Sequence, residues 1–317
     1  MSNTRLYWLH ALSPTHAGIG RGVGYVDLPI DRDGVTGWPL IRGSSFKGVW
    51  ADYYRATKEA REENPTLKAA FGIADDNGAS NAGALIPSDA KLVCLPVRSF
   101  RGTFAWCTSP LCLQLLRRTL DLANFKGLPK APADLPQTDA RLVARHVVDG
   151  RGPSALVKSD SKRIYLEDLD FAAQPCEVTS NWAKLLAGWV FPDDTAWQTE
   201  FQKRFVVVPN DSFDFLCETG TEIHTRVKIH PEKKIVADGA LWTEESLPAE
   251  SILSGIVQCD RVFGRHGEEI TASGLLDRFA KEPLKLQIGG KATVGRGQMR
   301  CVFTPVDSVA PVAGGIQ

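Results

Sequence analysis

No stretch of this 317-residue chain is long and apolar enough to cross a bilayer as a helix, and its N-terminus, Met-Ser-Asn-Thr-Arg-Leu-Tyr-Trp, lacks the uninterrupted apolar run of a signal peptide. The expectation is a cytoplasmic protein with no membrane partner. Neither sign of charge is in excess: 37 Lys plus Arg balance 37 Asp plus Glu, so no overall field gathers a polyanion, and any binding face must come from local clustering. The seven cysteines include no Cys-x-x-Cys pair and sit mostly among apolar neighbours, which argues against a zinc knuckle or a disulfide framework and for buried thiols. No Gly-x-Ser-x-Gly elbow or His-Glu-x-x-His helix is present, so those hydrolase chemistries are set aside. No helical or solenoid repeat is visible either.

What is present is a pair of glycine-punctuated segments near opposite ends of the chain, 18–30 and 289–297. Glycine lets a backbone approach a phosphate and turn its N–H groups toward it, and the interleaved Arg21, Lys291 and Arg296 add charge at that approach. The inferred partner is RNA. The first segment is no dinucleotide fingerprint, because Val23 stands where the third glycine is needed and the chain runs on into Val26-Asp-Leu-Pro29 rather than a helix. Gly290 and Gly295 have the outer spacing of a P-loop, but Arg296 and Gly297 replace its lysine and hydroxyl residue. A simple surface turn is the alternative for each loop taken singly.

Gly43-Ser-Ser-Phe-Lys-Gly-Val-Trp50 reads as a loop entering a helix, with Ser44 or Ser45 as its cap and Phe46, Val49, Trp50, Tyr53 and Tyr54 at helical spacing. Lys47 falls in the expected first turn, where the macrodipole disfavours a cation by a few tenths to about 1 kcal/mol. A bound phosphate reverses that cost. The N–H groups of Ser45, Phe46 and Lys47, with Arg42 upstream, therefore form an expected anion site. Asp27 is an acid between apolar Val26 and Leu28, placed to bind a divalent ion, to take a proton from a ribose 2′-hydroxyl, or simply to cap a turn. His16 could shuttle a proton or contact a phosphate, whereas His224 and His230 flank a basic strand and are more simply solvated.

Patterning places strands at 6–12, 91–97, 104–107, 204–208, 252–259, 284–288 and 298–303, with a hairpin formed by 222–229 and 235–242 about a turn at 231–234. Helices are expected after Ser109-Pro110, over 181–189 and 194–203, and near 275–281. The opening order strand, helix, strand, strand, helix is ferredoxin-like. Residues 124–163, rich in proline, glycine and charge, read as an insertion outside the core, and the tail after Pro305 as disordered.

Taken together, Leu12-Ser-Pro-Thr-His16, Gly24-Tyr-Val-Asp-Leu-Pro-Ile30, residues 36–48, Leu95-Pro-Val-Arg-Ser99 and Leu286-Gln-Ile-Gly-Gly290 resemble the RAMP superfamily, most closely the repeated backbone subunit of Cmr-type (type III-B) CRISPR effector complexes. The resemblance covers roughly residues 5–115 and 203–304. It implies an α+β fold: an RRM-like, ferredoxin-like palm with an antiparallel sheet (1–123 and 203–305), an inserted helical and loop region (about 124–202), and a protruding β-hairpin thumb (about 222–245). It also implies head-to-tail copies along a CRISPR guide RNA, contacts with other Cmr subunits, and one cut in single-stranded target RNA per copy. Asp27 matches the catalytic aspartate, with His16, Glu244 and Glu245 as possible assistants and Mg²⁺ or Mn²⁺ as cofactor; its ligands are left open, Asp27 being a possible one. The RNA-binding set is Arg21, Arg42, Ser44, Ser45, Lys47, Arg226, Lys228, Gly290, Lys291 and Arg296. Relatives carry an aromatic residue where this chain has Thr243, so a stacking or positioning contact is altered there. A non-catalytic guide-binding scaffold and a stand-alone repeat-RNA endoribonuclease are the alternatives.

Overall fold

The first strand is buried from both sides. β1 (Thr4–Ala11) turns Tyr7, Leu9 and Ala11 into one apolar cluster and Leu6 and Trp8 into another, so its sequence shows little apolar–polar alternation. The computed structural model describes residues 3–20, 22, 25–73, 81–144, 154–157, 162–229, 236–263 and 270–306. The expected turn at 231–234 and the tail beyond residue 306 lie outside them. After β1 come α1 (Gly43–Tyr53), the short α2 (Lys58–Glu63) and α3 (Pro65–Phe71), then β2 (Ala90–Arg98), β3 (Phe104–Thr108) and α4 (Pro110–Leu122). The middle of the chain supplies β4 (Asp139–Val143), β5 (Arg163–Leu166), β6 (Leu169–Cys176), α5 (Glu177–Val190), α6 (Thr195–Arg204), β7 (Phe205–Val207) and α7 (Asn210–Thr219). The last third supplies β8 (Glu222–Ile229), β9 (Val236–Ser246), β10 (Ile252–Gln258), α8 (Ala272–Phe279), β11 (Leu284–Gln287) and β12 (Gln298–Pro305).

One large sheet runs β11-β12-β1-β10-β2-β3-β7-β4-β6-β5, antiparallel except where β7 pairs β3 and β6 pairs β4. The fold is therefore mixed α and β around a mostly antiparallel sheet. β8 and β9 form a separate two-stranded hairpin. Beside β1 stand β12 and β10, and β2 follows β10. The expected opening order counts β3 as the third strand of the unit. Instead β10 takes the place next to β1, and β3 continues the sheet outward from β2.

The segment expected to stay outside the core contributes to it. Phe125, Ala140, Leu142 and Leu156 are all buried, and β4 hides alternate residues while Asp139, Arg141 and Val143 stay half-exposed. Five residues of such alternation carry too weak a signal to register as a strand beside so many charges and prolines. α4 begins as expected, with Ser109 Oγ accepting from the Cys112 N–H at 3.2 Å and Pro110 in the first turn. Six cysteines are buried and Cys176 is half-buried; all seven are free, and burial pushes the Cys112 thiol up to about 12 and Cys259 to about 11. Among the described residues no helix is long and apolar enough to cross a membrane.

An aromatic column fixes α1, and with it the helix N-terminus that faces the site. Tyr7 stacks on Phe46 at 4.3 Å between ring centroids, Phe46 stacks on Trp50 at 5.3 Å, and the Trp50 indole donates to the Phe279 carbonyl at 3.1 Å. The column needs Gly255 on the adjacent strand, because a Cβ there would lie 2.6 Å from the Tyr7 ring. Gly255→Val should lower stability by about 1–3 kcal/mol through overpacking, read as a lower urea midpoint. An unchanged midpoint would refute this account of the column.

Candidate nucleic-acid interface

The segment preceding the first glycine loop is clamped between two distant parts of the chain. Thr15 and Leu247 exchange backbone hydrogen bonds at 2.8 Å each, the Gly290 N–H donates to the His16 carbonyl at 3.0 Å, and the Gly297 N–H donates to the Pro14 carbonyl at 2.9 Å. The His16 ring is buried, with Nδ1 2.7 Å from the Glu245 carbonyl oxygen. A carbonyl only accepts, so Nδ1 carries the proton. Glycine is required on both sides of this residue. Gly289 has φ +82° and a Cβ there would lie 2.2 Å from the His16 carbonyl oxygen, while a Cβ on Gly18 would lie 2.5 Å from His16 Nε2.

The two glycine segments thus meet, and together with the N-terminus of α1 they line a cleft of about 290 Å³ that includes His16, Gly18, Gly290, Arg42 and Ser45. The helix entry differs from expectation in one respect. Arg42, not Ser44 or Ser45, is the N-cap and makes no side-chain capping bond; the Gly43 N–H is instead satisfied by Asp89 Oδ1 at 2.8 Å. Phe46 N–H donates to the Arg42 carbonyl at 3.0 Å and Lys47 lies beyond the first turn, so the backbone donors left for an anion are those of Ser44 and Ser45. Arg42 is paired with Asp31 at 2.6 Å and with Asp89 at 3.3 Å. Lys47 does not line the cleft; burial and the nearby Arg61 guanidinium lower its pKa.

Asp27 sits on the hairpin. Its carboxylate Oδ2 accepts from the Thr243 N–H at 2.7 Å and the Thr243 hydroxyl at 2.9 Å, and its own N–H donates to Thr243 Oγ1 at 3.0 Å. Leu28 then runs parallel to β9, donating to the Thr243 carbonyl at 3.1 Å and accepting from the Glu245 N–H at 3.0 Å. The segment after the first glycine loop therefore joins the hairpin through a single parallel bridge at Leu28.

The acids beside Thr243 are both buried and both engaged. Glu244 accepts from Lys291 Nζ at 2.7 Å, from the Trp242 indole at 2.6 Å, and from Arg226 Nε at 3.4 Å. Burial pushes its pKa up, but the hydrogen bonds and charges of Lys291, Trp242 and Arg226 outweigh that and leave it lowered. Glu245 accepts from the Ile30 N–H at 3.0 Å, from Arg32 at 2.5 Å, and from the Thr221 hydroxyl at 2.9 Å. Arg296 pairs with Glu222 at 3.3 Å, and Lys228 is exposed on β8. Arg21 and His230 lie outside the described residues.

Most of the residues singled out in the sequence therefore come together: Asp27, His16, Glu244, Glu245, Arg226, Lys291 and Gly290 around the hairpin, with Arg42 and Ser45 across the cleft. Sequence reasoning missed the acids that hold the cations, Asp31, Asp89 and Glu222: the last two reach their partners from 47 and 74 positions away, and no local rule pairs Asp31 with Arg42 across 11. Among the described residues no cluster of three or more His, Cys, Asp or Glu side chains could hold a metal ion.

The profile of the RAMP superfamily matches residues 8–300. The CRISPR system Cmr endoribonuclease Cmr4 of Pyrococcus furiosus is 31% identical over 307 residues, covering 95% of this chain and 96% of that protein. The crystal structure of oligomeric Cmr4 from Pyrococcus furiosus superposes with a TM-score of 0.69 at 25% identity, covering 95% of this chain and 97% of that one. A chain of a cryo-EM structure of the type III-B Cmr-beta complex bound to cognate target RNA superposes at 0.68 and 18% identity, covering 95% and 96%, and bears on the fold alone.

Because the Glu244 carboxylate is stabilised in the folded state, its contacts contribute fully above the ordinary glutamate value of 4.5 and are lost as pH falls below it through the lowered folded value. Glu244→Gln should weaken the docking of Lys291 on the hairpin by about 1.5–3 kcal/mol at neutral pH and flatten this acid limb. Thermal melts of both proteins from about pH 3 to 7 check it. Parallel curves would show that the Glu244 contacts contribute nothing to that limb.

Proposed function

The chain belongs to the RAMP superfamily, and from that premise we propose that it is the repeated backbone subunit of a type III-B CRISPR effector complex, binding guide RNA and cutting complementary target RNA at regular intervals. The observation that carries this reading is the meeting of the two glycine segments at the N-terminus of α1, with Asp27 bonded to Thr243 of the hairpin. The name of the Pyrococcus furiosus relative supports RNA cleavage, and the oligomeric form of its crystal structure supports copies stacked on one another. Other Cmr subunits and the cytoplasm follow as its setting.

The order β12-β1-β10-β2, with α1 between β1 and β2 and α8 between β10 and β12, supports reading these elements as an RRM-like, ferredoxin-like palm, with 124–202 inserted into it. The β8–β9 hairpin stands apart from the large sheet, and Ile223, Val227, Ile229 and Leu241 are exposed on it. Such a hairpin suits a thumb that wedges into a guide–target duplex. Guide contact through Ser44, Ser45, Arg42 and Lys291 would be to phosphate and ribose, leaving selection to base pairing, with Lys47 outside the cleft.

For the cut, a nucleotide unstacked by the thumb brings its 2′-oxygen in line with the adjacent phosphorus, and positioning supplies most of the acceleration. The 2′-oxygen attacks, Asp27 takes its proton, the bond to the 5′-oxygen breaks, and water protonates that leaving group. Mg²⁺ or Mn²⁺ would be held by Asp27 together with RNA oxygens, since among the described residues no cluster of three or more His, Cys, Asp or Glu side chains could hold it, and would supply charge stabilisation at the scissile phosphate. With the ring proton on His16 Nδ1 held by the Glu245 carbonyl, Nε2 is the unprotonated nitrogen, the atom through which His16 would act in the stand-alone reading, and cleavage of unpaired repeat RNA by the isolated chain would favour that reading.

In the assembled complex Asp27→Ala should leave target-RNA binding within about twofold and slow cleavage at least 100-fold, measured by single-turnover gel assays with and without EDTA. Unchanged cleavage removes Asp27 from the chemistry. A wild-type complex that binds complementary RNA but never cuts it, with Mg²⁺ or Mn²⁺ supplied, would make the chain a scaffold.

A further inference from the structure

The carboxylate assigned to the cut is held by a residue on another strand. We propose that Thr243 is the positioning residue for Asp27, and that it ties the competence of the site to the seating of the hairpin. The inference rests on the reading of Asp27 given above.

The geometry is reciprocal. One hydroxyl both donates to Asp27 Oδ2 at 2.9 Å and accepts from the Asp27 N–H at 3.0 Å, and the Thr243 N–H adds a second donor to the same carboxylate oxygen at 2.7 Å. A serine, threonine or asparagine side chain could make part of this set; an aromatic side chain could not accept from the Asp27 amide in this arrangement. Donors to an ionised oxygen are short and strong, so they fix the side-chain torsion as well as the backbone. Asp27 is exposed; the Gly22 N–H donates to its carbonyl at 3.0 Å, and β9 supplies the three bonds with Thr243. That strand is fastened on one side by Leu28 and Ile30 and on the other by the contacts from Glu244 to Lys291 and Arg226. Thr243 is the point at which this fastening reaches the carboxylate. A shift of the hairpin on strand binding therefore moves the reacting group with it, which makes cleavage sensitive to how the RNA seats the thumb.

The test compares Thr243→Val, which keeps shape and backbone donor but removes the hydroxyl, with Thr243→Ser, which restores it. Each is assembled into the complex and assayed for target-RNA affinity and for the single-turnover rate at saturating target. The inference expects Thr243→Val to bind target within about twofold of wild type and to cut 10- to 100-fold more slowly, as a small misplacement of a catalytic group does. Thr243→Ser should return to within about threefold of wild type, and adding Thr243→Val to Asp27→Ala should cost nothing further. Wild-type cutting by Thr243→Val, or a serine variant as slow as the valine one, overturns the inference while leaving Asp27 in place if Asp27→Ala is inactive. Cutting by Asp27→Ala overturns the underlying reading and this one together. Melting temperatures of the isolated chains separate loss of positioning from loss of fold: a Thr243→Val chain melting as wild type supports positioning, and a slow rate tracking a large drop in melting temperature counts against it.

Discussion

The backbone of residues 14–16 is the fastening on which the site depends. Three elements close on it: the strand end at Leu247, the glycine turn at Gly289 and Gly290, and the loop exit at Gly297. All are backbone bonds, so they set position without reference to side-chain identity, and the buried His16 ring then adds a side-chain bond to Glu245. Glycine is demanded at 289 because a left-handed turn must pass within contact distance of the His16 carbonyl. Without this node the first loop, the hairpin and the second loop would have no common frame, and the cleft would have no fixed width.

Charge in this region is arranged in pairs rather than in excess. Lys291 and Arg226 share Glu244, Arg296 has Glu222, Arg32 has Glu245, and Arg42 lies between Asp31 and Asp89. That arrangement accounts for how a chain of net charge zero can present a line of cations beside two glycine loops. An incoming phosphate must compete with a carboxylate for each cation. Such competition favours ligands that engage several cations together, because one displaced carboxylate is a poor exchange and many displaced at once along a strand are repaid by the released counterions. A polymer of phosphates satisfies this condition and a lone anion does not.

Local pattern made several elements legible and long-range pairing hid others. The apolar run at β1, the Ser109-Pro110 entry to α4 and the alternating strand 222–229 each carry their signal within a few residues, and each forms where expected. The cap of α1 does not: the acid that satisfies its first amide is Asp89, and nothing near Ser44 or Ser45 reveals that. β4 to β6 escaped notice because short strands interrupted by charge and, in β6, by Pro175 look like loop until their partners are known. The glycine loops pointed to a shared site, yet their neighbours, including the pairing of Asp27 with Thr243, lie beyond the reach of any local rule.

The division of labour between the large sheet and the hairpin follows from their packing. The sheet is buried on both faces at its centre around β1, and the stack from Tyr7 through Phe46 to Trp50 ties α1 into that core. β8 pairs with β9 alone and Ile223, Val227, Ile229 and Leu241 are exposed, so local opening costs less along this part of the hairpin than in the sheet, whereas Glu244, Glu245 and Ser246 at the end of β9 are buried and held by Lys291, Arg32 and the bridge to Leu28. On the proposed function, a guide gripped by the α1 side would be held on the stiff part of the molecule, while the Asp27 carboxylate would be carried by its bonds to the hairpin. Recognition on the sheet and the reacting group on the hairpin would, on that reading, let strand pairing rather than guide binding alone decide when the carboxylate reaches the backbone.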